Sequence, residues 1–132
     1  MDFSSILQDA KTTISEFKSQ NNDGIVIIRW ATATGKSRLS VELSEFFDIE
    51  VISSDSRQIF RKMDIGTDKI SAEIRKKIPH HQIDIVDPDE TYTAGQWKED
   101  ADHQVDEILA REKFPFIVGG TGLYIDTIYK NF

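Results

Sequence analysis

Residues 30–37, Trp-Ala-Thr-Ala-Thr-Gly-Lys-Ser, have the side-chain types and spacing of a phosphate-binding loop. They follow an apolar run at 24–28 and precede an amphipathic run, which is the strand, loop and helix order of a P-loop. In such a loop backbone N–H groups surround phosphate oxygens, the lysine adds positive charge and the serine hydroxyl reaches Mg²⁺. The pattern G-x-x-x-x-G-K-[ST] is met except at its first position, where Trp30 replaces glycine. The candidate diphosphate- or nucleotide-binding residues are Thr32, Ala33, Thr34, Gly35, Lys36 and Ser37, with Ser37 as the metal ligand.

Two more polar side chains directly follow apolar, strand-like runs. Asp55 comes after the run at 50–53, and the carboxyl ends of parallel strands are where open α/β sheets bind ligands. A carboxylate there can accept a proton from a reacting group, and its alternative roles are a Mg²⁺ ligand or a helix N-cap. Thr121 follows the run at 115–118 within a glycine-rich segment that permits close approach of the backbone to a ligand. Its alternative role is an ordinary helix cap.

Several motifs occur in one order along the chain. After the P-loop come VISSDSRQIF at 51–60, MDIGT at 63–67, PHHQIDIVDP at 79–88 and GGTGLY at 119–124. This ordered set, from about residue 24 to 124, resembles the tRNA dimethylallyltransferases, also called tRNA isopentenyltransferases. The resemblance implies transfer of an isopentenyl group from dimethylallyl diphosphate to N6 of an adenosine next to the anticodon in tRNA.

The resemblance also implies roles for individual residues. Asp55 matches the general base that takes the proton of the N6 amine, and Thr121 matches a catalytic threonine placed against the tRNA or the diphosphate. Lys36, together with Mg²⁺ on Ser37, would stabilise the leaving diphosphate. The residues matched to the substrate tRNA are Asp55, Ser56, Arg57, Gln58 and Thr121.

The histidines carry a weaker signal. His80 and His81 match a family motif that we interpret as structural, because adjacent histidines rarely point at one ion and no set of ligands completes a metal site. His103 lies in a charged helix and is expected to be solvated. Met63 to Thr67 are interpreted as a turn that packs against the wall of the site.

The apolar spacing predicts the elements that position these residues. A helix over 4–19 is followed by a strand at 24–29, a helix at about 36–47 and a strand at 50–53. The short apolar segment 83–86, a long helix over 94–112, a strand at 115–118 and a helix from about Thr121 complete the pattern. Leu39, Val41, Leu43, Phe46 and Phe47 are expected on the buried face of the helix at 36–47. The alternation predicts a P-loop NTPase-like α/β fold, with a parallel sheet and helices on both faces.

Composition limits the class of protein. The 132 residues suffice for one core, and 39% hydrophobic with 30% charged residues is typical of a soluble globular protein. The chain has no cysteine, and it lacks a membrane-length apolar run or a signal-peptide pattern, so we expect a cytoplasmic protein. The net charge of −7 disfavours electrostatic binding of nucleic acid over the whole surface of the protein.

We expect two parts, an N-terminal helical extension at 1–22 and a P-loop α/β domain at 23–132. The domain is expected to be truncated before the family's C-terminal helical region. Trp30 and this truncation keep other functions open: a non-catalytic nucleotide- or RNA-binding remnant, an adenylate isopentenyltransferase, or a P-loop small-molecule kinase. Because UGA encodes glycine in some genetic codes and tryptophan in others, a UGA codon at position 30 would reconcile Trp30 with the P-loop.

Overall fold

Four short parallel strands form one sheet in the part of the chain that the computed structural model describes, residues 3–20, 24–29, 33–54, 61, 72–87 and 89–119. Along the chain the elements are α1 (Phe3–Gln20), β1 (Val26–Arg29), α2 (Ala33–Leu43), β2 (Ile49–Ser53), α3 (Ala72–Lys77), β3 (His80–His81), α4 (Ala94–Ala110) and β4 (Phe114–Gly119). None of these described helices is both long and apolar enough to cross a membrane.

The strand order is β1-β4-β2-β3, and each neighbouring pair is parallel. The last strand in the sequence therefore lies between the first two. Arg29 is paired with Gly119, and Ser53 is paired with Val118. The carboxyl ends of β1, β4 and β2 consequently lie side by side at one edge of the sheet.

Alternate residues of the central strands enter two separate apolar clusters, because successive side chains of a strand point to opposite faces. Val51 and Phe116 belong to the cluster shared with α1 and α2. Ile52 and Ile117 belong to the cluster shared with α4, which contributes Trp97, Ala101 and Ile108. Helices thus cover both faces of the sheet, as the alternating pattern predicts.

Helix α1 packs on the face that also carries α2. Ile14 is buried in the shared cluster, while Phe3, Leu7, Ala10 and Phe17 pack against it at helical spacing. The Lys18 ammonium lies 5.1 Å from the ring centre of Phe114 in β4. The amphipathic helix expected over 4–19 is confirmed; its separation from the rest as a distinct part at 1–22 stays a prediction.

Helix α2 begins and ends earlier than the spacing predicts, at Ala33 and Leu43 instead of about 36 and 47. The prediction that Phe46 is buried is wrong, since it is 49% exposed. The helix has ended before Phe46, which lies under the Lys11 ammonium at 3.7 Å from its ring centre. Phe47 remains on the core side, edge-on to Phe114 at 6.1 Å between ring centres.

The region between β2 and α4 differs most from the sequence pattern. The strand here is His80–His81, ahead of the apolar segment 83–86, and the short helix α3 was not predicted. Gln82 and Asp84 have φ of 65° and 56°, a left-handed conformation that ends the strand. The helix expected from about Thr121 and the turn at Met63 to Thr67 lie outside the described residues.

Candidate active site

Three of the sequence motifs leave the sheet from neighbouring strand ends. The P-loop residues follow β1, Asp55 follows β2 by way of Ser54, and Thr121 follows β4 by way of residue 120. Since β4 lies between β1 and β2 and the ends of the three strands are in register, these segments start from one edge. In parallel α/β sheets this carboxyl edge is the ligand-binding edge.

The Gly-Lys-Ser segment lies within the first turns of α2. The helix begins at Ala33, so Thr34, Gly35, Lys36 and Ser37 have helical backbone. The first N–H groups of a helix have no carbonyl partner within it, and with the helix dipole they favour a bound anion. The side chains of 33–37, together with Trp30 and Thr32, lie outside the described residues.

The end of β2 is fixed by contacts on several sides. The fully buried Trp97 of α4 donates its indole N–H to the carbonyl oxygen of Ser53 at 2.8 Å. The backbone N–H of Ser54 donates to the carbonyl oxygen of Val118 at 3.0 Å, which extends the pairing with β4 by one residue. Asp55 is the next residue in the chain, and Asp55, Ser56, Arg57 and Gln58 lie outside the described residues.

Ser54 and Gly119 approach each other too closely for a side chain at position 119. A Cβ built on Gly119 would lie 1.8 Å from the Ser54 hydroxyl oxygen and 3.3 Å from its carbonyl carbon. That hydroxyl is buried and has no hydrogen-bond partner among the residues that the structure describes. Glycine at 119 is therefore required by close approach of two strand ends, which refines the sequence interpretation of the glycine-rich segment. Thr121 itself lies outside the described residues.

Arg61, which follows the undescribed stretch 55–60, is held on the loop between β3 and α4. Its backbone N–H donates to the carbonyl oxygen of Val86 at 2.7 Å. Its guanidinium donates through Nε to the carbonyl oxygen of Asp84 at 2.9 Å and through Nη1 to Asp87 Oδ1 at 3.1 Å. The PHHQIDIVDP motif thus supplies the groups that hold Arg61.

The side chains of the two adjacent histidines contact different partners. His80 Nδ1 lies 2.7 Å from the carbonyl oxygen of Ile78, and burial lowers the pKa of His80. His81 Nε2 lies 2.7 Å from Glu50 Oε1 on β2. Among the described residues no group of three or more His, Cys, Asp or Glu could hold a metal ion. The structural interpretation of the pair is supported by these contacts, and the exposed His103 lies beside Glu107 on α4, as expected.

Glu50 is a buried carboxylate that sequence reasoning missed. Arg111, just after α4, donates to it through Nε at 3.0 Å and through Nη2 at 2.7 Å. This bidentate contact, assisted by His81, holds the pKa of Glu50 below its ordinary value although desolvation opposes it. The same carboxylate raises the pKa of Arg111. The cluster joins β2, β3 and α4 near the start of β2, away from the carboxyl edge.

Trp97 and Arg61 were also missed as contributors to the site. Trp97 shares helical spacing with the other buried residues of α4, Ala101 and Ile108, but this spacing does not indicate where the indole N–H points. The sequence does contain one indication of this position, the capping box formed by Thr93 and Gln96. The capping box fixes the start of α4 and hence the place of Trp97 in its first turn.

Ser37, the residue expected to bind Mg²⁺, has its backbone in the first turns of α2. Mg²⁺ is usually held by one or two protein ligands plus substrate phosphates and waters, without a cage of carboxylates.

A parallel sheet with Gly-Lys-Ser at the start of the helix after β1 defines an α/β protein of the P-loop type. The family model described as IPP transferase matches residues 58–132. A tRNA dimethylallyltransferase of Thermotoga neapolitana is 50% identical over 106 residues, covering 80% of this chain and 35% of that protein. One from Dictyoglomus turgidum is 46% identical over 108 residues, covering 82% and 33%. The chain belongs to the IPP transferase family.

Solved structures agree with this assignment. The tRNA isopentenylpyrophosphate transferase of Bacillus halodurans superposes with a TM-score of 0.77 at 44% identity, covering 83% of this chain and 36% of that one. A eukaryotic dimethylallyltransferase acting on tRNA gives 0.72 at 37% identity, covering 78% and 26%. The P-loop NTPase-like fold predicted from the sequence is confirmed. The chain spans about one third of the length of the curated relatives it matches.

Proposed function

We propose that this chain forms the catalytic portion of a tRNA dimethylallyltransferase. The supporting observation is the convergence of the P-loop, the Asp55 segment and the Thr121 segment on three neighbouring strand ends, in a chain about 50% identical to enzymes of that name. The proposed substrates are dimethylallyl diphosphate and tRNA, and the proposed location is the cytoplasm.

In the proposed reaction, the N6 amine of the target adenosine attacks the first carbon of the dimethylallyl group. A C–N bond forms there as the C–O bond to diphosphate breaks, and the bonding electrons leave with the diphosphate. The amine loses one proton, which the Asp55 carboxylate accepts. The bond formed, the bond broken, the charge and the transferred proton are then all accounted for without a further reactant.

The diphosphate carries increasing negative charge as it leaves, and α2 provides what stabilises it. Free N–H groups in the first turn, the Lys36 ammonium and the helix dipole all favour that charge. Bound Mg²⁺ would supply further charge neutralisation at the phosphates, with the Ser37 hydroxyl as its protein ligand. This arrangement binds phosphates without transferring a phosphoryl group.

The segment after β2 is proposed to meet the nucleic acid. Three polar residues directly follow the general base Asp55 in the sequence, so they would face the adenosine and its flanking phosphates. These residues are Ser56, Arg57 and Gln58. An arginine suits phosphate and a glutamine suits a base edge. Thr121 would approach the same place from the end of β4.

The test is a side-by-side assay on the full-length protein that the gene encodes. Radiolabelled dimethylallyl diphosphate is supplied with unmodified tRNA, and in parallel ATP is supplied with the same tRNA and with small phosphate acceptors. We expect label in tRNA, at N6 of an adenosine after nuclease digestion, and no ATP-dependent phosphorylation. Label transferred to free adenylate instead, phosphorylation of an acceptor, or no turnover with either donor would each contradict the proposal.

A further inference from the structure

We infer that Trp97 and Arg61 are positioning residues that anchor the two ends of the segment 55–60. This segment contains Asp55 and the residues proposed to meet the adenosine. The catalytic consequence rests on the proposed function, whereas the anchoring itself rests on contacts of described residues.

The first anchor acts where the segment begins. Trp97 has no exposed surface, and its indole N–H donates to the carbonyl oxygen of Ser53 at 2.8 Å. This hydrogen bond crosses from α4 to the last residue of β2, two positions before Asp55. Ser54 is then paired to Val118 through its N–H, so the peptide that precedes Asp55 is held both by the helix below and by the strand beside it.

Trp97 is itself held in a fixed place at the start of α4. The Thr93 hydroxyl accepts from the N–H of Gln96 at 3.1 Å, and the Gln96 side chain accepts from the N–H of Thr93 at 2.8 Å. The neighbouring Tyr92 donates its hydroxyl to Asp100, eight residues further along the chain. A capped first turn frays little, so the indole N–H is presented in one position.

The second anchor acts where the segment ends. Arg61 makes three hydrogen bonds to residues 84–87, one from its backbone and two from its guanidinium. The side chain is about half exposed, so its ion pair with Asp87 contributes little to global stability. Three bonds converging on one loop from a surface residue indicate a local positioning role.

Both anchors are attached to the same packed part of the protein. Val86, whose carbonyl oxygen accepts from Arg61, is buried in the cluster that contains Trp97 and Ala101. Gln82 donates to the Tyr92 hydroxyl at 3.3 Å, which ties the start of this loop to the start of α4. Ser53 and Arg61, the described residues that flank this segment, are therefore both held on one packed unit.

The experiment compares two anchor variants with two matched controls in the full-length protein. Trp97→Phe removes the indole N–H and keeps an aromatic ring, while Arg61→Gln removes the guanidinium. The control for lost packing in α4 is Ile108→Val, and the control for a lost arginine is Arg75→Gln, whose ion pair also reaches Asp84. We expect both anchor variants to lower kcat about tenfold or more with KM for dimethylallyl diphosphate unchanged, since a misplacement of about 1 Å costs up to 10²-fold. Both controls should stay within about twofold of the wild type.

A second comparison separates positioning from general loss of structure. In an Asp55→Ala background, where the carboxylate next to the first anchor is gone, Trp97→Phe should lower kcat by a clearly smaller factor than it does in the wild type. A decrease of equal size in both backgrounds would show that Trp97 acts through global stability and would overturn the inference. So would wild-type kcat in both anchor variants.

Hydrogen exchange of the amides in 55–60 tests the anchoring without reference to catalysis. Faster exchange in Trp97→Phe and Arg61→Gln than in their controls supports the inference, and unchanged exchange overturns it. If the wild-type protein transfers no isopentenyl group, the proposed function fails and the exchange result still decides whether the segment is anchored.

Discussion

Removing Arg111 should destabilise the fold more than removing the carboxylate that it holds. The Glu50 side chain is 6% exposed, whereas Arg111 is 44% exposed. Arg111→Met leaves a buried carboxylate with His81 as its remaining partner in the cluster. Loss of one partner of a buried pair costs about 3–5 kcal/mol, and His81 reduces this to about 2–4 kcal/mol. Glu50→Gln instead leaves an arginine that water can solvate, for a cost of about 1–2 kcal/mol.

The pH dependence has a defined sign. Because the pKa of Glu50 is lowered in the folded protein, chiefly by Arg111, its contribution is present above the unfolded value near 4.5. That contribution is lost as the pH falls from there through the folded pKa. In Arg111→Met the main cause of the lowering is gone, so the folded pKa of Glu50 rises and the variant loses less stability than the wild type as the pH falls below about 4.5.

Urea unfolding followed by far-UV circular dichroism, at several pH values between about 3 and 7, measures these differences. Lys113→Met is the matched control, because Lys113 pairs with the exposed Asp48 and such a surface pair contributes about 0–1 kcal/mol. An Arg111→Met cost no larger than that of Lys113→Met, or smaller than that of Glu50→Gln, would refute the reasoning.

Four further outcomes are expected. Asp55→Ala should leave dimethylallyl diphosphate affinity nearly intact and lower transfer by the full-length protein by about 10²–10⁴-fold, measured by single-turnover kinetics; unchanged turnover would remove Asp55 as the base. Trp30→Gly should tighten diphosphate binding in titrations with Mg²⁺, because an indole at the first P-loop position obstructs the tight turn; equal affinities would show that the loop tolerates it. Gly119→Ala should cost about 1–3 kcal/mol in urea unfolding, since its Cβ would lie 1.8 Å from the Ser54 hydroxyl oxygen, and adding Ser54→Ala should recover part of that loss; no recovery would mean that the backbone contact dominates. The 132-residue chain alone, with net charge −7, should bind tRNA weakly in an anisotropy titration while binding diphosphate; tight, salt-sensitive tRNA binding would contradict this.

The sequence by itself determined the class of fold and the family. The apolar runs located β1, β2 and β4, and the helical spacing located α1 and α4, within a few residues. The strands are rich in apolar residues because helices cover both faces of the sheet, and each helix buries one apolar face. The ordered motifs indicated the IPP transferase family, which the comparisons confirm. Asp55, Thr121 and the side chains of the P-loop keep the status of predictions, since they lie outside the described residues.

Only the tertiary structure decided which residues support the strand ends and which residues hold the buried Glu50. No local pattern relates Trp97 to Ser53, Arg61 to Val86, or Arg111 to Glu50, because these partners are far apart in the sequence and meet only after the sheet has formed. The end of α2 and the exposure of Phe46 were likewise set by packing, since an apolar period continues across a helix terminus without marking it. Hydrophobic periodicity indicates which face of an element is buried, whereas the direction of a hydrogen bond depends on a neighbour that the sequence does not place.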